Sequence, residues 1–262
     1  YLNNMDTLNV KTIADYINSG ETPEILFWVG SAGSFDERAQ KITRAFVRIL
    51  NKANINFAVL GDQESSSGDV AKRAGNEFLF QMQALMNIEI LNSYKIKKIV
   101  TTCPHSYNTL KNEYKELGGD YFVQHHTEFI EELIEMGKLD LKINLRNKKI
   151  TYHDPCYLGR GNNIYNSPRN LIKKLDLDFI EIPRNKRKSF CCGAGGAQMF
   201  KESENGKFEI NIVRTKEALA TEADIIATAC PFCNTMITDG VKNIDERKAA
   251  VMDIAEIIAE CL

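Results

Sequence analysis

The chain repeats itself, and this repetition constrains its fold more than any single motif. Ser31 and Cys156 each follow an apolar run, 125 positions apart. Ser66-Ser67-Gly68 and Cys191-Cys192-Gly193 stand at the same offset of 125. Cys103-Pro104 matches Cys230-Pro231, and Ser106 matches Cys233, both at an offset of 127. Landmarks on nearly one offset indicate two copies of one unit. Five thiols in the second copy correspond to four serines and one cysteine in the first.

Within each copy, apolar runs alternate with amphipathic stretches. Strands are predicted over residues 25–29, 56–60 and 98–101, and helices over 39–51, 76–91 and 127–136. Helix 76–91 is expected to bury Phe78, Leu79, Met82, Leu85 and Met86. The second copy repeats the plan with strands over 149–152, 179–182 and 224–228 and helices over 168–175, 211–221 and 251–261. Strand–helix alternation implies an α/β fold, here two tandem, pseudo-symmetric Rossmann-like units with mostly parallel sheets and helices on both faces. The polar segment 140–148 is the natural boundary, giving units over 1–145 and 146–262.

A chain of 262 residues is long enough for one large core or two ordinary domains. Its net charge of −2 argues against a general nucleic-acid binder, which needs an excess of Lys and Arg. The basic run Arg184, Lys186, Arg187 and Lys188 reads as a solvated loop, with a docking patch for an acidic partner as the alternative. No stretch approaches the roughly 20 apolar residues of a membrane helix, and no signal peptide is visible. The chain starts at Tyr1 rather than Met, so it is expected to be a fragment with room upstream for a membrane or ferredoxin-like segment. Its expected location is the cytoplasm, or the cytoplasmic face of a membrane through missing segments or partners.

Seven cysteines need a reason. A secreted disulfide scaffold would be smaller and would space them through loops. Here six fall in polar, Pro- and Gly-containing turns after apolar runs. The seventh, Cys261, ends an apolar helix and reads as a core thiol. In an open parallel sheet ligands collect at the carboxyl ends of strands, so Cys156, Cys191, Cys192, Cys230 and Cys233 are expected to converge. Thiolates select zinc, copper(I) or iron–sulfur centres. Five exceed what one cubane or one tetrahedral zinc needs. Zinc, a thioredoxin-like dithiol and plain buried thiols remain the competing readings.

His-Asp-Pro-Cys156, Phe-Cys191-Cys192-Gly-Ala-Gly-Gly and Ala-Cys230-Pro-Phe-Cys233-Asn resemble the cysteine-rich "CCG" domain. That domain is shared by heterodisulfide reductases and related iron–sulfur oxidoreductases, including glycolate, lactate and glycerol-3-phosphate oxidase subunits. The resemblance covers most of the chain as two tandem domains. It implies a [4Fe–4S] cluster on the five second-copy cysteines, in some members a non-cubane form. It also implies an electron-transfer subunit working with a flavoprotein or iron–sulfur partner and a quinone, ferredoxin or disulfide acceptor. Some relatives bind zinc at the C-terminal copy, which keeps a zinc-binding structural module as the alternative. The first copy departs from the pattern: Ser31, Ser66, Ser67 and Ser106 stand where thiols would, and Cys103 alone cannot hold a cluster. Loop 61–75 could bind an anion at a helix start, although a plain turn explains it as well.

The histidines carry paired readings. His153 is either a strand-end residue bonded to backbone or a proton donor beside the cluster. His105 could face the first copy's site, and His125 and His126 could cap a helix or line the cleft between copies. Phe27 and Trp28 read as core strand residues. Tyr152 and Phe232 flank cluster cysteines and read as shields against water.

Overall fold

A computed structural model describes residues 8–142, 148–202, 205–245 and 249–262. Tyr1, and residues 143–147 of the expected boundary, lie outside the described residues. The first copy runs β1 (Lys11–Thr12), α1 (Ile13–Ser19), β2 (Ile25–Trp28), α2 (Gly30–Phe35), α3 (Glu37–Lys52), β3 (Phe57–Val59), α4 (Asp69–Arg73), α5 (Glu77–Ser93), β4 (Lys98–Thr101), α6 (Pro104–Asn108), β5 (Phe122–His125) and α7 (His126–Glu135). The second runs β6 (Lys149–Tyr152), α8 (Asn166–Lys174), β7 (Asp178–Phe179), α9 (Ile210–Leu219), β8 (Ile225–Thr228), α10 (Pro231–Asp245), β9 (Ala250–Asp253) and α11 (Ile254–Glu260).

Two sheets form, ordered β1-β3-β2-β4-β5 and β7-β6-β8-β9, and every pairing is parallel. Without β1, the first order is the second order over again. Strands β2 and β8 are buried along their whole length, as continuous apolar runs in a sheet covered on both faces should be. Phe27 and Trp28 are 0% exposed. One apolar cluster lies between the sheets and is shared: Phe27, Phe46 and Ile130 of the first copy join Ile150, Leu171 and Ile258 of the second. Cys261 is buried in the same cluster. Two further clusters cover the outer faces, one under α5 and one containing Cys192, Cys230 and Cys233.

Four local expectations are corrected. Helix α5 turns the other way: Phe80, Ala84, Asn87, Ile88 and Leu91 are buried, while Phe78 (76% exposed), Leu79, Met82, Leu85 and Met86 face outward. Both sides of this helix are apolar, so its periodicity could not choose between them. The buried Asn87 bonds the Ser66 carbonyl and the Tyr114 hydroxyl, which fixes the inward side. The closing helix begins only at Ile254, because residues 250–253 pair with β8 as strand β9. Asp253 then caps α11 through the Ala255 N–H at 2.9 Å. The strand expected over 179–182 is the two-residue β7. Helix α10, which carries Cys233, arises from a polar stretch not expected to be helical.

Candidate metal centre

The five candidate cysteines of the second copy sit just past a strand, in a turn or in the first turn of a helix. Cys156 follows β6, where the His153 N–H donates to the Ala227 carbonyl and extends the pairing with β8 by one residue. Cys191 and Cys192 lie in the glycine-rich turn. There Gly193 holds φ at +95°, and a Cβ would meet Ile210 at 3.3 Å. Only glycine suits that backbone, and the Gly193 N–H donates to the Cys191 sulfur at 3.3 Å. Cys230 follows β8, Pro231 opens α10, and Cys233 lies in that helix's first turn. The Asn234 amide donates to Thr228 Oγ1 at 2.9 Å and ties the helix start to the strand end.

These elements bring all five expected thiols together. Cys192 and Cys233 have sulfurs 3.2 Å apart. Cys191 lies near enough to Cys156 and Cys192, and Cys233 to Cys230, for the charge on one sulfur to be felt by the other. The five thiols therefore form one interacting group, with the Cys192–Cys233 pair in direct contact. Cys156 and Cys191 are partly exposed, and the other three are buried. The thiols do not behave alike. Hydrogen bonds from Cys156 and Cys192 hold Cys191 at about 2. Burial raises Cys230, but bonds from Cys233 and His105 outweigh it and bring it to about 5. Cys156, Cys192 and Cys233 are pushed up, first by the bonds they make to their neighbours.

Buried charges fix the loops around it. Arg169 grips Asp154 with two bonds of 2.7 and 2.8 Å, and Glu181 with two more of 2.6 and 2.9 Å. Asp154 also accepts the Lys186 N–H at 2.7 Å, which draws in the loop leading to Cys191. Arg214, 0% exposed, donates from Nε to His153 Nδ1 at 3.0 Å. A guanidinium only donates, so His153 carries its own proton on Nε2. That nitrogen is buried and has no partner, and a ring nitrogen of His153 lies within 4.8 Å of the Cys192 and Cys233 sulfurs. His153 thus bonds the Arg214 side chain through its ring and the Ala227 carbonyl through its backbone N–H. Burial, followed by the Arg214 charge, lowers it to about 3, which keeps the ring neutral. Neither Arg169 nor Arg214 was legible as a site residue, because an arginine on an amphipathic helix reads as solvent-facing. Asp154, inside the quoted His-Asp-Pro-Cys string, was the available signal.

The first copy keeps the shape of a site. Ser31, Ser66, Ser67, Cys103 and Ser106 line a cavity of about 180 Å³, with Phe232 of the second copy on its wall. His105 faces this cavity, as expected, with Nδ1 2.9 Å from Asp69 Oδ2. Its ring packs on Tyr157 at 4.3 Å and on Phe232 at 5.3 Å. Burial opposes the charged ring, but Asp69 and Cys230 outweigh it and raise His105 to about 10. His125 precedes α7, and its N–H donates to Glu128 at 3.1 Å. His126 reaches across to Asp253 at 2.9 Å, with both side chains fully buried. Tyr152 lies in the shared core with the Arg169 guanidinium 5.2 Å from its ring centre.

Comparison with known proteins agrees with this geometry. The chain is 44% identical, over 96% of its length, to the "Probable iron-sulfur-binding oxidoreductase FadF" of Bacillus subtilis, covering 36% of that protein. It is 42% identical, over 97% of its length, to the "EtfAB:quinone oxidoreductase" of Syntrophomonas wolfei, covering 37% of it. It is 33% identical, over 91% of its length, to one subunit of the dihydromethanophenazine:CoB--CoM heterodisulfide reductase of Methanosarcina barkeri, covering 59% of that subunit. The chain thus spans little more than a third of the first two relatives. The family model described as "Cysteine-rich domain", CCG, matches twice, over residues 25–111 and 150–238. With that model accounting for most of the chain, the protein belongs to the CCG cysteine-rich domain family.

Proposed function

We propose that the chain is the iron–sulfur electron-transfer unit of an oxidoreductase, with one [4Fe–4S]-type cluster on Cys156, Cys191, Cys192, Cys230 and Cys233. The gathering of these five thiols into one interacting group, with the Cys192 and Cys233 sulfurs in contact, carries the reading. The donor set fits the group: five soft ligands, and His153 Nε2 buried without a partner beside them. When bound, the cluster supplies a reversible one-electron store. The chain's own residues do the rest. Gly193 lets its backbone approach the sulfurs, and His153 Nε2 offers a hydrogen bond of the kind that sets a cluster's potential. Phe232, between Cys230 and Cys233 in sequence, screens the buried side from water.

In this reading residues 146–262 form the cluster-bearing unit, and 1–145 form a unit whose own site holds no cluster. The relatives' names support a donor of flavoprotein or iron–sulfur type and a quinone or disulfide-type acceptor. No helix among the described residues is long and apolar enough to cross a membrane. Attachment to one would run through other segments or partners.

Anaerobic reconstitution with iron and sulfide tests the proposal. About four irons and four sulfides per chain, a broad visible absorption shoulder and an EPR signal are expected. Cys192→Ser should abolish them, whereas Cys103→Ser should leave iron and sulfide contents unchanged. Stoichiometric zinc without iron after the same treatment would overturn the reading.

A further inference from the structure

The two copies differ in charge as well as in thiols. At the offset of 125, Lys186, Arg187 and Lys188 correspond to Gly61, Asp62 and Gln63. Each trio forms the same short 3-10 turn, and each opens on a left-handed residue, Gly61 at φ +61° and Lys186 at φ +50°. Glycine takes that conformation at no steric cost, and lysine does not. The demands of the turn therefore do not account for Lys186. The flanking sequence continues the trend. No Asp or Glu stands in residues 155–175 or 182–201, the segments that hold Cys156, Cys191 and Cys192. The first copy's counterpart of the second segment contains Asp62, Glu64 and Asp69.

This charge lies at the edge where the sulfurs reach solvent. Cys156 and Cys191 are partly exposed, whereas Cys192, Cys230 and Cys233 are buried. Lys188 stands three residues before Cys191, a span of at most about 11 Å. Arg160 lies in the turn closed by the Gly161 N–H on the Cys156 carbonyl at 3.0 Å. Its guanidinium donates to the Ser189 carbonyl and so joins the loops of the two exposed thiols. Arg160, Lys186, Arg187 and Lys188 are all exposed. The acids around these loops are already taken: Asp154 and Glu181 by Arg169, and Glu217 by Arg184 and Arg214.

We propose that Arg160, Lys186, Arg187 and Lys188 form the docking patch for an acidic redox protein that exchanges electrons with the cluster through the Cys156–Cys191 edge. This rests on the cluster reading given above. The chain as a whole carries a net charge of −2, so the patch is a local field and not general basicity. Complementary charge speeds encounter and selects the edge that meets the partner. In the encounter one electron leaves the reduced partner and enters the oxidised cluster, and no other bond changes.

The test uses fully reduced flavodoxin, an acidic flavoprotein, mixed with the reconstituted protein in a stopped-flow instrument. Steering acts on any acidic surface, so this probe reports it. Iron and sulfide contents are measured first and report on the cluster reading alone. The wild-type second-order rate constant should fall about tenfold between about 20 and about 300 mM salt. The triple variant Lys186→Gln, Arg187→Gln, Lys188→Gln keeps the N–H that Asp154 accepts. It should react about tenfold more slowly at low salt, with a flattened salt dependence. Its reduction by a zwitterionic viologen should match wild type. So should the flavodoxin rate of the control Lys95→Gln, Lys97→Gln, Lys148→Gln, whose residues precede β4 and β6 at the other end of the sheets. A wild-type rate that ignores salt, or an equal loss in both triple variants, would overturn the proposal. If no cluster is taken up, the cluster reading fails, and docking is still measured on the metal-free chain. Its amide resonances at residues 160–161 and 186–191 should shift with oxidised flavodoxin and return at high salt. Shifts elsewhere or none at all would overturn the proposal, as would shifts with phosphatidylglycerol vesicles but not with flavodoxin.

Discussion

Asp154 carries a carboxylate that is almost fully buried, and its neighbours show why it stands in the ligand loop. It takes two bonds from Arg169 and one from the Lys186 N–H, while its own carbonyl accepts from the Ser189 hydroxyl at 3.1 Å. One residue thus joins the turn bearing Cys156 to the loop bearing Cys191. A buried pair adds little net stability, because both charges lose their hydration, but removing one partner strands the other. Arg169→Met is therefore expected to cost about 3–5 kcal/mol of unfolding free energy, read by urea denaturation of the metal-free protein. A cost below about 1 kcal/mol would mean that Asp154 finds another partner. At this scale the cysteines proposed as ligands were legible in the sequence, since their spacing tracks strand ends. The charges behind them were not: what buries Arg169 and Arg214 is the meeting of loops distant in sequence.

Helix α2 shows how an element depends on a side chain from elsewhere. It is six residues long, small or polar except for Phe35, and no side chain of its own caps it. Glu64 does so instead, accepting the Val29 N–H at 3.0 Å and the Gly30 N–H at 2.5 Å. Burial raises the Glu64 carboxyl from 4.5 to about 7, against the pull of those two donors. Between these values the folded chain retains a proton that the unfolded chain has released. Stability must then fall as pH rises from about 4.5 to about 7, by at most about 1.4 kcal/mol per unit, and level off above. Glu64→Gln keeps an acceptor and removes the ionisation. Its melting temperature relative to wild type should climb between pH 5 and pH 7.5, and a constant difference would refute the linkage. The same scale exposes the limits of pattern reading. Strands β5 and β9 are four residues long and run directly into helices, so their extended residues merge with the helical pattern. Helix α5 is apolar on both sides, and only the hydrogen bonds of Asn87 choose its inward face.

The two sheets repeat one strand order, yet they do not stand apart. Helices α3, α7, α8 and α11 contribute to a single apolar cluster between them. The wholly buried His126–Asp253 pair and the Arg38–Glu256 pair at 2.7 Å cross the same interface. Continuous burial of this kind makes unfolding cooperative. Calorimetry of the metal-free chain should give one transition with equal calorimetric and van't Hoff enthalpies, and two resolved transitions would show separable units. The duplication itself was legible from four landmarks, but the fusion of its cores was not, because periodicity reports which face is apolar and not what covers it. That fusion also bears on the redox role proposed for the centre. Carriers that swing between donor and acceptor need a loose joint, and here the joint is filled with side chains. A cluster held as proposed above would keep a fixed place against the first copy, and any movement toward an electron source or sink would have to arise outside this joint.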